Sequence, residues 1–80
     1  MYLCLIIKGN NIDIDTIETL LNKNLKGYVC KGKYINKNKI ELIYDIKFKK
    51  EINNRLITKL SEINGVDTVN IVSSNTDTMG

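Results

Sequence analysis

The sequence predicts one α+β domain in which four strands and two helices follow each other in the order β-α-β-β-α-β. Three observations support this prediction. Two stretches repeat apolar residues at helical spacing, four stretches are apolar or alternate at a period of two, and glycine or asparagine separates most of them. The chain has 80 residues, enough for one small domain, and 42% of them are hydrophobic, enough for a packed core.

The first strand and the first helix are predicted from a continuous apolar run and a capping pattern. Residues 2–8 are apolar on both faces, which is typical of a central strand, and the polar turn at residues 9–11 ends it. Asp15, followed three residues later by Glu18, matches an N-terminal capping pattern. We therefore expect a helix over residues 16–24.

The next two strands are predicted to form a hairpin. Residues 28–35 are typical of a strand, and residues 36–38 favour a turn because asparagine tolerates a left-handed backbone. Residues 39–49 alternate at a period of two over about ten residues, which is the clearest strand pattern in the chain.

The last helix and strand follow from a second apolar stripe. This stripe begins at Ile52 and predicts a helix over residues 50–63, which an Asn-Gly pair ends. Residues 66–72 are predicted to be the fourth strand. We expect residues 73–80 to be a polar C-terminal tail outside the domain, which then spans residues 1–72.

This element order determines the expected topology. Right-handed crossovers place the first and third strands in the middle of a four-stranded antiparallel sheet, in the spatial order 4-1-3-2. Both helices then lie on one face of the sheet. The predicted fold is therefore the ferredoxin-like βαββαβ two-layer sandwich.

The passage from the second helix to the last strand resembles a known family. Residues 60–72, Leu-Ser-Glu-Ile-Asn-Gly-Val-Asp-Thr-Val-Asn-Ile-Val, are similar to that passage in ACT-type regulatory domains. Similar segments occur in the small soluble C-terminal domain of some bacterial membrane proteins of the MgtC/SapB type. The resemblance implies a regulatory or assembly role, and a ligand turn at Gly9, Asn10 and Asn11. ACT domains usually have a Pro-Gly or related turn there, so only Gly9 matches.

The alternation of the strands separates a helix-facing set from an outward set. The helix-facing residues are predicted to be Leu3, Leu5, Ile7, Ile40, Leu42, Tyr44, Ile46, Phe48, Val69 and Ile71. The outward apolar residues are then Tyr2, Cys4, Ile6, Ile43 and Val72. Because a monomer rarely exposes a contiguous apolar patch, we expect an interface, with a second copy or with another part of a larger protein. The alternative is a set of ordinary surface apolar groups.

The two cysteines are predicted to be structural. The same alternation places Cys30 inward with Tyr28 and Tyr34, whereas Cys4 points outward. The third strand separates them, so the two sulfur atoms are too far apart for a disulfide. We expect both thiols to act as small buried hydrophobic groups.

A basic stretch leaves a second interpretation open. Lys31, Lys33, Lys37 and Lys39 lie on or beside the predicted hairpin. They favour either an anionic partner, such as nucleic acid or a phospholipid surface, or a solvated edge that discourages aggregation. RNA-binding sheets present aromatic side chains on the open face, and only Tyr2 is expected there. Nucleic-acid binding therefore ranks below the solvated edge.

The composition argues against an enzyme. The absence of histidine excludes imidazole acid–base chemistry and histidine metal ligands, and the acidic cluster Asp13, Asp15 and Glu18 is explained by helix capping. We expect no cofactor and no metal. No apolar run approaches the length of a membrane span, and no secretion signal is visible, so we expect a cytoplasmic location, as a free protein or as the soluble part of a membrane protein.

The expected function is that of a non-catalytic regulatory or assembly module that self-associates. Two alternatives remain open at this point. One is a nucleic-acid-binding module that uses the lysines of the hairpin, and the other is a small-molecule sensor with its ligand near residues 9–11.

Overall fold

The predicted order of elements is confirmed. The structure is a computed structural model that describes residues 2–73. Its elements are β1 (Leu3–Asn10), α1 (Ile14–Asn24), β2 (Gly27–Asn36), β3 (Lys39–Lys47), α2 (Asn54–Ser61) and β4 (Val66–Ser73). The four strands form one antiparallel sheet in the order β2-β3-β1-β4, which is the predicted order read from the other edge. The fold is ferredoxin-like.

Both helices and one face of the sheet enclose a single core. α1 contributes Ile17 and Leu21, and α2 contributes Leu56 and Leu60. The strands contribute the fully buried residues Leu5, Ile7, Leu42, Tyr44 and Ile46, and the segments on either side of α1 add Ile12 and Leu25. The other predicted helix-facing residues are partly buried against the same core. The predicted helix-facing set is therefore correct.

The first helix begins two residues earlier than predicted. Asp13, and not Asp15, is its N-cap residue. One carboxylate oxygen of Asp13 accepts the backbone N–H of Asp15 at 3.1 Å, and the other accepts the Thr16 hydroxyl at 3.0 Å. The first bond satisfies a backbone donor that the first turn of a helix leaves free, and the second fixes the Asp13 side chain in place.

The second helix is shorter than the predicted range 50–63. The side-chain oxygen of Asn53 accepts the backbone N–H of Leu56 at 3.1 Å, and this cap starts the helix at Asn54. Ile52 lies before the cap and is 53% exposed, so its predicted place on the apolar stripe is wrong. The preceding strand also ends early, at Lys47.

The boundaries of the other strands differ by one or two residues. β1 continues through Gly9 and Asn10, so the predicted break after residue 8 comes too early. Ser73 closes β4 and does not belong to a tail, because it pairs with Leu3. The rest of the predicted tail, residues 74–80, lies outside the described residues.

A bulge in β2 reverses the expected direction of the side chains that follow it. The register with β3 shifts between Cys30 and Gly32, so Lys31 is an extra residue. Because one inserted residue reverses the alternation that follows it, Tyr34 lies opposite Glu41, on the face away from the helices. The prediction that Tyr34 faces the helices is therefore wrong. We call the side of the sheet opposite α1 and α2 the open face.

Candidate functional site

The predicted interface residues lie side by side on the open face. Ile6 is directly opposite Ile43 on β3, and Cys4 is directly opposite Val72 on β4. Cys4 and Ile6 are two residues apart on one strand, so the two pairs adjoin. Tyr2 extends this row and is 45% exposed, while Val72 is 47% exposed. We call these five residues the apolar patch.

The edge strand β2 adds one apolar residue that is absent from the predicted interface set. Val29 pairs with Asp45 and is 54% exposed. It lies before the bulge, between Tyr28 and Cys30, so simple alternation already places it outward. The sequence therefore contained the signal for Val29.

Charges of both signs border the apolar patch. Asp45 lies between Cys4 of β1 and Val29 of β2 in the pairing. The Lys47 ammonium is 5.8 Å from the centroid of the Tyr2 ring, within the range of a cation–π contact. Asp45 and Lys47 are two residues apart on β3 and share the open face.

The other end of the open face is polar. Lys8 lies opposite Glu41, which in turn lies opposite Tyr34, and Asn10 lies opposite Lys39. These side chains border a groove of about 680 Å³ beside the hairpin turn. We call it the hairpin groove, and its open-face residues are Lys8, Asn10, Tyr34, Asn36, Lys39 and Glu41.

The predicted ligand turn has a structural reason for its glycine. A Cβ atom on Gly9 would collide with the backbone oxygen of Gly65, which itself has a φ of +93°. The backbone N–H of Asn10 donates to that same oxygen at 2.8 Å. Asn11 has a φ of +53° and donates its N–H to the backbone oxygen of Asn38 at 2.9 Å. These contacts hold the end of β1 against the turn before β4 and the turn before β3.

The side chain of Asn10 connects the predicted ligand turn to the hairpin groove. Its side-chain amide donates to Asp67 at 3.1 Å, and both residues border the hairpin groove. Gly9 contributes to the same groove. The structure therefore places two of the three predicted turn residues beside a concave surface.

The four lysines of the hairpin do not share one surface, and two of them form ion pairs. The Lys31 ammonium is 3.9 Å from Asp45 on the open face. The Lys33 ammonium is 3.2 Å from Glu18 of α1, on the helix side of the sheet. Two of the four positive charges are therefore compensated on opposite faces, which weighs against a common anion-binding hairpin surface.

The remaining two lysines are placed differently. Lys37 lies in the turn with a φ of +57°, so the left-handed residue is the lysine and not either of its flanking asparagines. Lys39 lies on the open face, opposite Asn10, and borders the hairpin groove. Of the predicted set, Lys39 and the partly engaged Lys33 are the two that border this groove.

A buried tyrosine links β3 to α1. The Tyr44 hydroxyl donates to Glu18 at 2.9 Å, and Lys33 donates to the same carboxylate oxygen. Burial, followed by the hydrogen bond to Glu18, raises the pKa of the Tyr44 hydroxyl far above its usual value. The hydrogen bond from Lys33 to Glu18, followed by their charge attraction, raises the pKa of the Lys33 ammonium. Glu18 therefore joins two strands to a helix and does not cap α1.

Both cysteines are free thiols on different strands. Cys4 lies on the open face and is partly exposed, whereas Cys30 lies opposite the helix-facing Tyr44. Cys30 is exposed because β2 is an edge strand, so the prediction that it is buried is wrong. Its thiol lies 3.7 Å from the backbone oxygen of Gly32 inside the bulge.

Comparisons with known proteins add no family assignment. No protein-family model matches the chain, and no curated protein matches it.

Within residues 2–73, neither helix has the length and apolar character that crossing a membrane requires.

Proposed function

We propose that this chain is a non-catalytic regulatory or assembly module that binds a second copy of itself through the apolar patch. The observation that carries the proposal is the direct pairing of Ile6 with Ile43, beside the pair of Cys4 and Val72, on an exposed sheet face. Apolar area that leaves water stabilises an association by about 25 cal/mol per Å². The resemblance of residues 60–72 to ACT-type regulatory domains supports the regulatory part of this proposal.

The size of the open face sets the expected strength. Four strands spaced about 4.8 Å apart, with about five rows of side chains about 6.6 Å apart, present roughly 600 Å². Contact across the whole of both faces would bury about 1,200 Å², the lower limit of the usual range of stable protein interfaces, and contact through the apolar patch alone buries less. We therefore expect a reversible dimer whose population depends on concentration in the micromolar range or above.

A second copy suits this surface because its border carries charges of both signs, with Asp45 at 3.9 Å from the Lys31 ammonium and two residues from Lys47. Asp45 and Lys47 lie on the same face of β3, two residues apart. In a two-fold dimer each surface meets an identical one, so a carboxylate of one copy can face an ammonium of the other. Such pairs contribute orientation more than affinity, while the apolar patch provides the attraction.

Sedimentation equilibrium of the wild type and of Ile43→Lys tests the proposal. We expect the wild-type mass to rise from monomer toward dimer with concentration, and Ile43→Lys to remain monomeric because it buries a charge without a partner. Asn22→Lys is the matched control, since it adds the same charge at an exposed position of α1. Circular dichroism verifies that each variant is folded. A wild type that is monomeric at millimolar concentration contradicts the proposal, as does an Ile43→Lys variant that dimerises normally.

A further inference from the structure

We propose that the hairpin groove binds a nucleotide, with the base stacked on Tyr34 and the phosphate held by Lys8 and Lys39. This site lies at the other end of the open face from Tyr2 and Val72. It does not depend on the proposed self-association. A free nucleotide and one nucleotide of a strand share the chemistry this site would recognise, which is a flat aromatic base joined to an anionic phosphate.

Tyr34 is a ready stacking platform. It is 59% exposed, and its ring lies over Gly32 of the same strand. A Cβ atom on Gly32 would lie 2.9 Å from Cε2 of Tyr34 and 3.2 Å from its hydroxyl oxygen. Glycine therefore lets the ring rest against the strand, and the exposed remainder of the ring is available to a base.

Three lysines border the groove, and since Lys33 is paired with Glu18, the other two provide the positive charge for a ligand. Lys8 and Lys39 are both exposed, and neither forms an ion pair with a carboxylate of residues 2–73. Lys39 lies opposite Asn10, which is two residues from Lys8 on the same strand face, so the two lysines are diagonal neighbours. Their flexible side chains can reach one phosphate between them, and a phosphate accepts hydrogen bonds from ammonium groups.

Glu41 completes a site for the sugar. Glu41 lies between Tyr34 and Lys8 in the strand pairing, and it forms no ion pair within the described part of the chain. A carboxylate is an acceptor only, so it suits the hydroxyl groups of a ribose between the base and the phosphate. The groove volume of about 680 Å³ falls within the range of small-molecule sites.

An amide NMR titration tests this site with three probes: adenosine 5′-monophosphate, adenosine and inorganic phosphate. We expect the monophosphate to shift the amides of Lys8, Asn10, Tyr34 and Lys39, and to saturate at a lower concentration than either fragment. Binding of the fragments as strongly as the monophosphate overturns the combined site, and so do shifts that avoid these residues.

Paired variants separate the groove from the rest of the open face. Tyr34→Ser should weaken binding of the monophosphate at least about fivefold, because it removes the stacked ring. Tyr34→Phe should retain binding, and Tyr2→Ser, which removes an exposed ring at the opposite end of the sheet, should leave it unchanged. If Tyr34→Ser and Tyr2→Ser bind equally well, the assignment of Tyr34 is wrong.

A second set of variants tests whether Lys8 and Lys39 bind the phosphate. Lys8→Gln and Lys39→Gln should each weaken the monophosphate but not adenosine, whereas Lys59→Gln on the exposed surface of α2 should change neither. Equal losses for adenosine and the monophosphate contradict the phosphate assignment. Val72→Lys, which changes the apolar patch on the strand furthest from Tyr34, should still bind the monophosphate if folded, so failure of self-association and failure of this site are distinguishable.

A single-stranded hexanucleotide identifies the source of the nucleotide. If the hexamer binds more tightly than the monophosphate and its affinity falls steeply with salt, the groove holds one nucleotide of a strand. If the two bind equally, the ligand is a free nucleotide. Either result upholds the site, whereas the absence of shifts with both probes overturns it.

Discussion

Two consecutive isoleucines on β1 show how differently the two faces of the sheet are used. Ile7 is fully buried against the helices, whereas Ile6 lies on the open face, opposite Ile43, and is only partly buried. The residue type is the same, so the difference comes from what covers each face. On the helix side the chain supplies its own cover. On the open side the neighbours within the described residues leave the apolar surface partly in water.

A central strand with two apolar faces indicates that a third layer covers the sheet. In a sheet with one wet face, outward positions are usually polar, as Lys8 and Glu41 are. Ile6 and Ile43 break this pattern at the centre of the sheet. The proposed partner on the open face would account for these two exceptions with one cause.

The largest expected effect separates the two isoleucines directly. Ile7→Ala should lower the free energy of unfolding by about 2–5 kcal/mol, because it leaves a cavity in the closed core. Ile6→Ala should cost less than about 1.5 kcal/mol when measured on dilute protein, since its surroundings are partly solvent. Urea unfolding at low micromolar concentration measures both. Equal losses would mean that the open face is as well packed as the core.

A second pair of variants tests the corner where β1 meets the start of β4. Gly9→Ala should destabilise the fold by about 2 kcal/mol or more, because its Cβ atom collides with the backbone of Gly65 and neither chain can give way easily. Gly27→Ala is the matched control, since open space surrounds a Cβ atom there and its change should be within about 1 kcal/mol. A tolerated Gly9→Ala would show that the two segments are further apart than described.

The stability of the fold should also fall at alkaline pH, because of a tyrosine on the helix side of the sheet. The pKa of Tyr44 is raised in the folded state, so the folded state holds this proton more tightly than the unfolded state does. Its contribution to stability is therefore complete below about pH 10 and falls as the pH rises, by up to about 1.4 kcal/mol per unit. The raised pKa of Lys33 acts in the same direction.

Tyr44→Phe isolates this effect. The variant should be less stable than the wild type near neutral pH, because Glu18 loses a donor, and its stability should fall less steeply above about pH 10. Urea midpoints between about pH 8 and pH 11 give the two slopes. If both proteins lose stability with the same slope, the pKa of Tyr44 is not raised in the folded state.

The parts of the fold that follow from local patterns were predictable. The alternation of β3 fixes its two faces, and the order of elements with right-handed crossovers gives the strand order that is observed. From these two facts the apolar patch follows, because Cys4, Ile6 and Val72 have defined positions relative to Ile43.

The wrong predictions concern features of the fold that depend on a single residue. The bulge at Lys31 reverses the alternation after it, and its sign in the sequence is Gly32, a glycine inside a strand. The two residues Asp13 and Asp15 are both good caps, and only the geometry of the turn selects the first. The hairpin groove could not be predicted, because it needs Tyr34 on the open face.

The most direct measurement is an isotope-filtered NOE experiment on an equal mixture of labelled and unlabelled protein at millimolar concentration. It detects contacts between two copies only. We predict contacts among the methyl groups of Ile6, Ile43 and Val72 and the Tyr2 ring, and none from the buried methyl groups of Ile7 or Leu42. Intermolecular contacts confined to the helices, or no contacts at a concentration where the mass exceeds that of a monomer, would contradict self-association through the open face.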